Sequence, residues 1–232
     1  MKKNNLTKQF YVSCQALVDE PMFGKNVMLK MATAAIQGGA HGIRTSGLNN
    51  INSIKEKFPD IKLIGLLKVN YPNSDVYITP TLRELKLLIN SKADLIALDF
   101  TSRKRPKQAL KELVEYFNKN KRKDQFLLAD IASIEDIDLA IKYGIKYIAT
   151  TLRGYTKDTE GKSNTENDYF FLKEVIQKCK PNNCIVIAEG GFNTPTDAKN
   201  ALDLGSDIVI VGSAITRPQY ITKTFYDSMF SK

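Results

Sequence analysis

The chain predicts an α/β protein folded as a single-domain (β/α)8 TIM barrel over residues 1–232. Three observations carry that expectation. Short apolar runs bounded by turn residues alternate with helical patterns eight times, as strands of a buried parallel sheet do. Four of these runs end on one charged residue. Ile64 to Leu67 leads into Lys68, Leu95 to Leu98 into Asp99, Phe126 to Ala129 into Asp130, and Ile185 to Ala188 into Glu189. Barrel enzymes place their chemistry at the carboxyl ends of the strands, where the backbone is fixed and the next loop opens to solvent. Finally, the first strand runs into Ser13-Cys14-Gln15-Ala16, not the glycine-rich phosphate loop that a doubly wound open sheet requires.

The elements follow in order. Phe10 to Cys14 forms the first strand, followed by a helix over 25–37 that Gly38-Gly39 ends. His41 to Arg44 is the second strand, and its helix over 50–57 stops at Pro59. The third strand, 62–68, precedes a loop through Pro72 and Pro80 and a helix over 82–89. Asp94 to Asp99 is the fourth strand, with a helix over 106–117 whose Pro106 suits a first turn. Phe126 to Asp130 is the fifth. Ser133, with Asp136 three residues on, marks a capped helix reaching Tyr143. Tyr147 to Thr151 is the sixth strand. The polar segment 153–165 reads as a mobile loop before a helix over 167–178. Cys184 to Glu189 is the seventh strand, with a helix over 196–204. Asp207 to Val211 is the eighth, and 218–229 closes the chain as a helix. No linker or composition shift marks a second domain.

Composition narrows the function classes. A hydrophobic content of 43% is enough for a full core. No stretch approaches the ~18 uninterrupted apolar residues of a membrane span. Met1-Lys2-Lys3-Asn4-Asn5 is basic without an apolar signal core after it, so a cytoplasmic protein is the expectation. Three cysteines without a CxxC spacing argue against disulfides and zinc, and Cys14 and Cys184 read as small buried hydrophobes. The net charge of +9 biases the molecule toward anionic small molecules or nucleic acid. No aromatic-interleaved basic motif supports nucleic acid, and the basic run 119–123 reads as a solvated loop. The single histidine, His41, begins its strand and reads as structural. No tight carboxylate cluster suggests magnesium, so no metal is expected.

The candidate chemistry lies at the strand ends. Gly190-Gly191 and Gly212-Ser213 follow the seventh and eighth strands, the pair of loops that often binds phosphate in barrels. Arg217 adds a guanidinium nearby. Lys68 either snorkels to solvent or, in a partly desolvated pocket, becomes a proton carrier as its pKa falls. Glu189 and Asp130 are too costly to bury unpaired, so they pair with Lys68, Arg44 or Arg217 or transfer protons. Asp99 joins them or pairs with Arg103 or Arg105. Gln15 and Arg44 offer neutral and cationic donors at the same rim.

These residues, with their neighbours, resemble the N-acetylmannosamine-6-phosphate 2-epimerase family, a ribulose-phosphate-binding type of barrel. The matching blocks fall in order: Ser13-Cys14-Gln15-Ala16, Gly42-Ile43-Arg44-Thr45, Leu67-Lys68 with Tyr71-Pro72, 75–81, Asp99 with Thr101 and 103–106, Ala129-Asp130-Ile131, Gly154-Tyr155-Thr156, Ala188-Glu189-Gly190 and 211–218. The resemblance implies a cofactor-independent isomerase of amino-sugar phosphates in sialic acid degradation. Lys68 and Glu189 match its catalytic residues. Arg44 and Asp130 match residues holding the sugar and its N-acetyl group, Gln15 a substrate contact, and Arg217 a phosphate ligand. Asn70, Arg153 and Gly191 depart from the common residues at their positions. A homodimer acting on a small amino-sugar phosphate, without nucleic acid or membrane, is the expected assembly. The alternative within enzymes is a Schiff-base aldolase using Lys68 as nucleophile.

Overall fold

The structure, a computed structural model, describes residues 8–231. The basic segment Met1 to Asn5 lies outside them. Eight parallel strands close a barrel in sequence order: β1 (Gln9–Cys14), β2 (Gly42–Ser46), β3 (Lys62–Leu66), β4 (Leu95–Asp99), β5 (Phe126–Asp130), β6 (Tyr147–Ala149), β7 (Ile185–Glu189) and β8 (Ile208–Val211). β8 pairs back onto β1, with Tyr11 opposite Ile210. The helices are α1 (Val27–Gln37), α2 (Leu48–Lys57), α3 (Leu82–Ile89), α4 (Leu110–Asn120), α5 (Glu135–Lys142), α6 (Glu166–Cys179), α7 (Pro195–Leu204), the short α8 (Ser213–Thr216) and α9 (Pro218–Phe230).

Two apolar clusters follow from the two faces of the strands. Residues such as Val12, Ile43, Ile96 and Val186 pack outward against the helices. Tyr11, Ile64, Leu66, Ala97, Leu128 and Ile187 fill the barrel. Tyr11 explains a glycine: a Cβ on Gly42 would stand 2.5 Å from its ring. Among the described residues, no helix is long and apolar enough to cross a membrane.

Several local expectations change. The helix expected from Pro106 begins at Leu110, because Arg103 and Arg105 hold the preceding loop in place through Asp99 and Thr79. The third strand stops at Leu66, and Lys68 instead sits in an antiparallel bridge with Ile78. Arg122 in the basic run is not simply solvated. It donates to the carbonyls of Ile89, Ser91 and Ala93, covering the carboxyl end of α3. The carboxylate of Asp136 accepts from the N–H groups of Ala132 and Ser133 ahead of α5. All three cysteines are buried and free; Cys184 immediately precedes β7. His41 Nδ1 accepts from Phe10 N–H, a structural contact.

Candidate active site

Strand periodicity brings the strand-end residues to the mouth of the barrel. Ile64 and Leu66 face inward, so Lys68 continues that row; Ala97 precedes Asp99, Leu128 precedes Asp130, Ala149 precedes Thr151 and Ile187 precedes Glu189. A cavity of about 820 Å³ opens there. Gln15, Arg44, Lys68, Glu189, Arg217 and the glycine loops contribute to its wall. Residues spread over more than 200 positions of chain thus meet in one concave site.

Its buried centre is Arg44, 1% exposed. Nη1 and Nη2 donate to Asp130 Oδ1 and Oδ2 at 2.8 and 2.7 Å, a two-pronged pair. Nη1 also donates to Glu189 Oε2 at 2.7 Å. The Thr151 hydroxyl lies 2.6 Å from Asp130 Oδ1 and 2.9 Å from Glu189 Oε2. It carries only one proton for these two acceptors. One guanidinium therefore serves two carboxylates. Burial first, then the nearby Asp130 charge, raises the pKa of Glu189 above the ordinary carboxylate range, against the pull of Arg44.

Lys68 has the opposite environment. Among the described residues it makes no hydrogen bond or ion pair, and it faces the cavity. Burial, then the positive charges of Arg44 and Arg217, lower its pKa to about 8, although Glu189 and Asp130 oppose the shift. The backbone around it is fixed by a returning segment. Val69 N–H donates to Tyr77 O at 3.0 Å, and Thr79 N–H donates to Leu67 O at 2.8 Å. The proton affinities of Lys68 and Glu189 are thus displaced toward each other.

The phosphate candidates occupy another part of the same wall. Gly190 and Gly191 have φ of 100° and 79°, conformations that favour glycine. A Cβ on Gly190 would also come within 3.3 Å of Thr151 O. Gly212 and Ser213 lead into α8, and Arg217 Nη1 donates to Ser213 Oγ at 2.7 Å. Gln15 Nε2 donates to Ser13 Oγ, while its Oε1 is buried without a partner among the described residues. The expected mobile loop 153–165 is anchored through buried Asn164. Its Nδ2 donates to the carbonyls of Thr150, Glu189 and Gly190 at 3.2, 2.9 and 2.8 Å.

Two of the four charged strand ends stand apart from the cavity. Asp99 is fully buried and accepts from Arg103 Nη2 at 2.5 Å and from Thr101. It therefore takes the ion-pair alternative. Asp130 lies beneath Arg44 and is not part of the cavity wall. Thr151, uncharged and two residues beyond β6, which stops at Ala149 and not at Thr151 as expected, escapes a search for charged residues. Its place in the inward row after Tyr147 and Ala149 was the available signal. Of the departures, Asn70 and Gly191 line the cavity, whereas Arg153 pairs with Glu166 and stacks over Phe171. Among the described residues, no group of three His, Cys, Asp or Glu side chains is disposed to hold a metal.

The NanE family model, described as "Putative N-acetylmannosamine-6-phosphate epimerase", matches residues 28–231. The chain belongs to this family. A relative from Mycoplasmopsis pulmonis, named "Putative N-acetylmannosamine-6-phosphate 2-epimerase", is 54% identical over 224 residues, covering 97% of this chain and 98% of the relative. A protein of the same name from Malacoplasma penetrans is 45% identical, covering 98% and 95%. The solved N-acetylmannosamine-6-phosphate 2-epimerase from Clostridium perfringens superposes with a TM-score of 0.88 at 42% identity, covering 96% of this chain and 94% of that one. A deoxyribose phosphate aldolase from Aeropyrum pernix, at 16% identity, TM-score 0.66 and coverage of 94% and 92%, shares the barrel fold alone. Membership of the epimerase family favours epimerase chemistry over the Schiff-base alternative.

Proposed function

We propose that the protein interconverts N-acetylmannosamine 6-phosphate and N-acetylglucosamine 6-phosphate, moving the C2 proton through Lys68 and assisting ring opening and proton shuttling through Glu189. The observation that carries the reading is one cavity lined by both Glu189 and Lys68, the latter without a hydrogen-bond or ion-pair partner among the described residues. Burial and neighbouring charges lower the lysine to about 8 and raise the carboxyl. On the closed sugar ring the C2 proton is not acidic. Opening to the aldehyde puts C2 beside a carbonyl. Removal of the proton by neutral Lys68 leaves an enolate, and protonation on the opposite face gives the epimer.

Arg44 orients the sugar, and Asp130 acts through Arg44 by holding the guanidinium in place. Gln15, with its free acceptor, contacts the substrate. Arg217 and the backbone of Gly190, Gly191, Gly212 and Ser213 receive the phosphate. A cytoplasmic setting in sialic acid degradation belongs to the same reading. So does a homodimer, supported by the exposed apolar side chains Phe225, Tyr226, Met229 and Phe230 on α9. Sedimentation at micromolar concentration tests the dimer; a monomer there rejects it.

The test of the reaction is incubation with N-acetylmannosamine 6-phosphate in heavy water, followed by NMR. Formation of the epimer with deuterium at C2 is expected. Absence of both signals rejects the assignment.

A further inference from the structure

We propose that Glu20 is a positioning residue for phosphate recognition, fixing Arg217 so that its remaining N–H groups face the substrate. This rests on the epimerase reading, which gives Arg217 the phosphate of that substrate.

Glu20 lies in the loop after β1, 197 positions from Arg217. Its Oε1 stands 2.6 Å from Arg217 Nε, and its Oε2 accepts from Nη2 at 3.2 Å. Ser213 Oγ takes one N–H of Nη1. A guanidinium presents five N–H bonds in one rigid plane. Two of them are hydrogen-bonded, one to Glu20 Oε2 and one to Ser213 Oγ. Nε stands in ion-pair contact with Glu20 Oε1 without a hydrogen bond, and one N–H on each Nη nitrogen is left. Arg217 and Ser213 line the cavity, whereas Glu20 does not. The carboxylate therefore stands behind the guanidinium and leaves the space in front of it open.

Glu20 is itself held in place. Its Oε2 accepts from Leu17 N–H at 2.7 Å, and its own N–H donates to Leu17 O at 3.0 Å. Although burial opposes it, hydrogen bonding from Arg217 and from Leu17 N–H keeps its pKa below the ordinary glutamate value. It is anionic at neutral pH. An anion this close weakens the bare attraction of the site for phosphate. In return, a flexible arginine is already oriented before the ligand arrives, which favours two-pronged binding in one geometry. The same carboxylate ties the Leu17 turn, whose neighbours Leu17, Val18 and Asp19 form cavity wall, to the start of α9.

The experiment compares the full chain with Glu20→Ala and Glu20→Gln. It measures kcat and KM for N-acetylmannosamine 6-phosphate, and calorimetric binding of inorganic phosphate, which needs no turnover. Expected for Glu20→Ala is a rise in KM and weaker phosphate binding, each on the order of tenfold, with kcat nearly unchanged. Glu20→Gln keeps an acceptor oxygen and recovers part of both; it also carries the test if the alanine variant does not fold. Unchanged phosphate binding overturns the proposal. So does tighter binding, which would make Glu20 a competitor of the phosphate, or a fall in kcat alone. A wild-type protein without turnover defeats the epimerase reading, while the phosphate calorimetry still judges Glu20.

Discussion

Arg44 holds Asp130 through both Nη nitrogens and reaches Glu189 Oε2 at 2.7 Å with one of them. Because Asp130 takes the two-pronged contact, Glu189 is left with one guanidinium N–H and a share in a single hydroxyl proton. Of the two carboxylates, Glu189 is the one that lines the cavity.

Lys68→Ala should lower turnover by ~10²–10⁴-fold and abolish C2 deuteration. Lys68→Arg should not restore it, since a guanidinium does not lose its proton in this range. The measurement is NMR in heavy water; deuterium incorporation by the alanine variant would remove Lys68 from the proton step.

The pH profile should rise through about 8, the value to which burial and the two arginines lower Lys68. The active form is the neutral amine, which is roughly a tenth of the population at pH 7 and dominant above the pKa. Arg217→Gln removes one of the charges that lower this pKa, so its limb should move to higher pH. The kcat/KM profile of the two proteins checks the direction of the shift.

Arg44→Met should destabilise the fold by about 3–5 kcal/mol, because it strands two buried carboxylates. Replacing Arg44 and Asp130 together by Met and Leu should cost less than the single change, as the pair leaves the interior as a unit. Denaturant melts of the two variants decide this; equal losses would mean that Asp130 is not the partner that makes Arg44 necessary.

Thr151→Val removes a hydrogen bond that lowers the pKa of Glu189. That pKa should therefore rise further, and stability should fall by about 1–3 kcal/mol. A carboxyl NMR titration of Glu189 follows the first effect, and a melt follows the second.

Asn164→Ala should leave three buried carbonyls without their shared donor and loosen the segment between β6 and α6. Faster proteolytic nicking within 153–165, with the barrel otherwise intact, is the expected outcome. Nicking at the wild-type rate would show that Asn164 does not hold this segment.

Much of the barrel was legible because alternation and apolar runs are local properties. The runs ending on Lys68, Asp99, Asp130 and Glu189 are strands or immediate strand extensions, and the glycine loops after the seventh and eighth strands face the cavity. Helix boundaries were less legible. Pro106 suits a helix start on its own, but Arg103 and Arg105 reach back to Asp99 and Thr79 and hold that stretch as a loop. The polar segment 153–165 has the composition of a mobile loop, yet Asn164 is buried within it.

The sequence by itself determined the strand count, the charged strand ends and the family, since each follows from alternation of apolar runs or from ordered local motifs. Only the tertiary structure decided who pairs with whom. Asp99 goes to Arg103, Asp130 and Glu189 divide Arg44, Glu20 takes the back of Arg217, and Lys68 is left without a partner among the described residues. Those pairings depend on distances across the barrel mouth between residues as many as 197 positions apart. Burial there makes every unpaired charge costly, so the choice of partner sets the charge and proton affinity of each group.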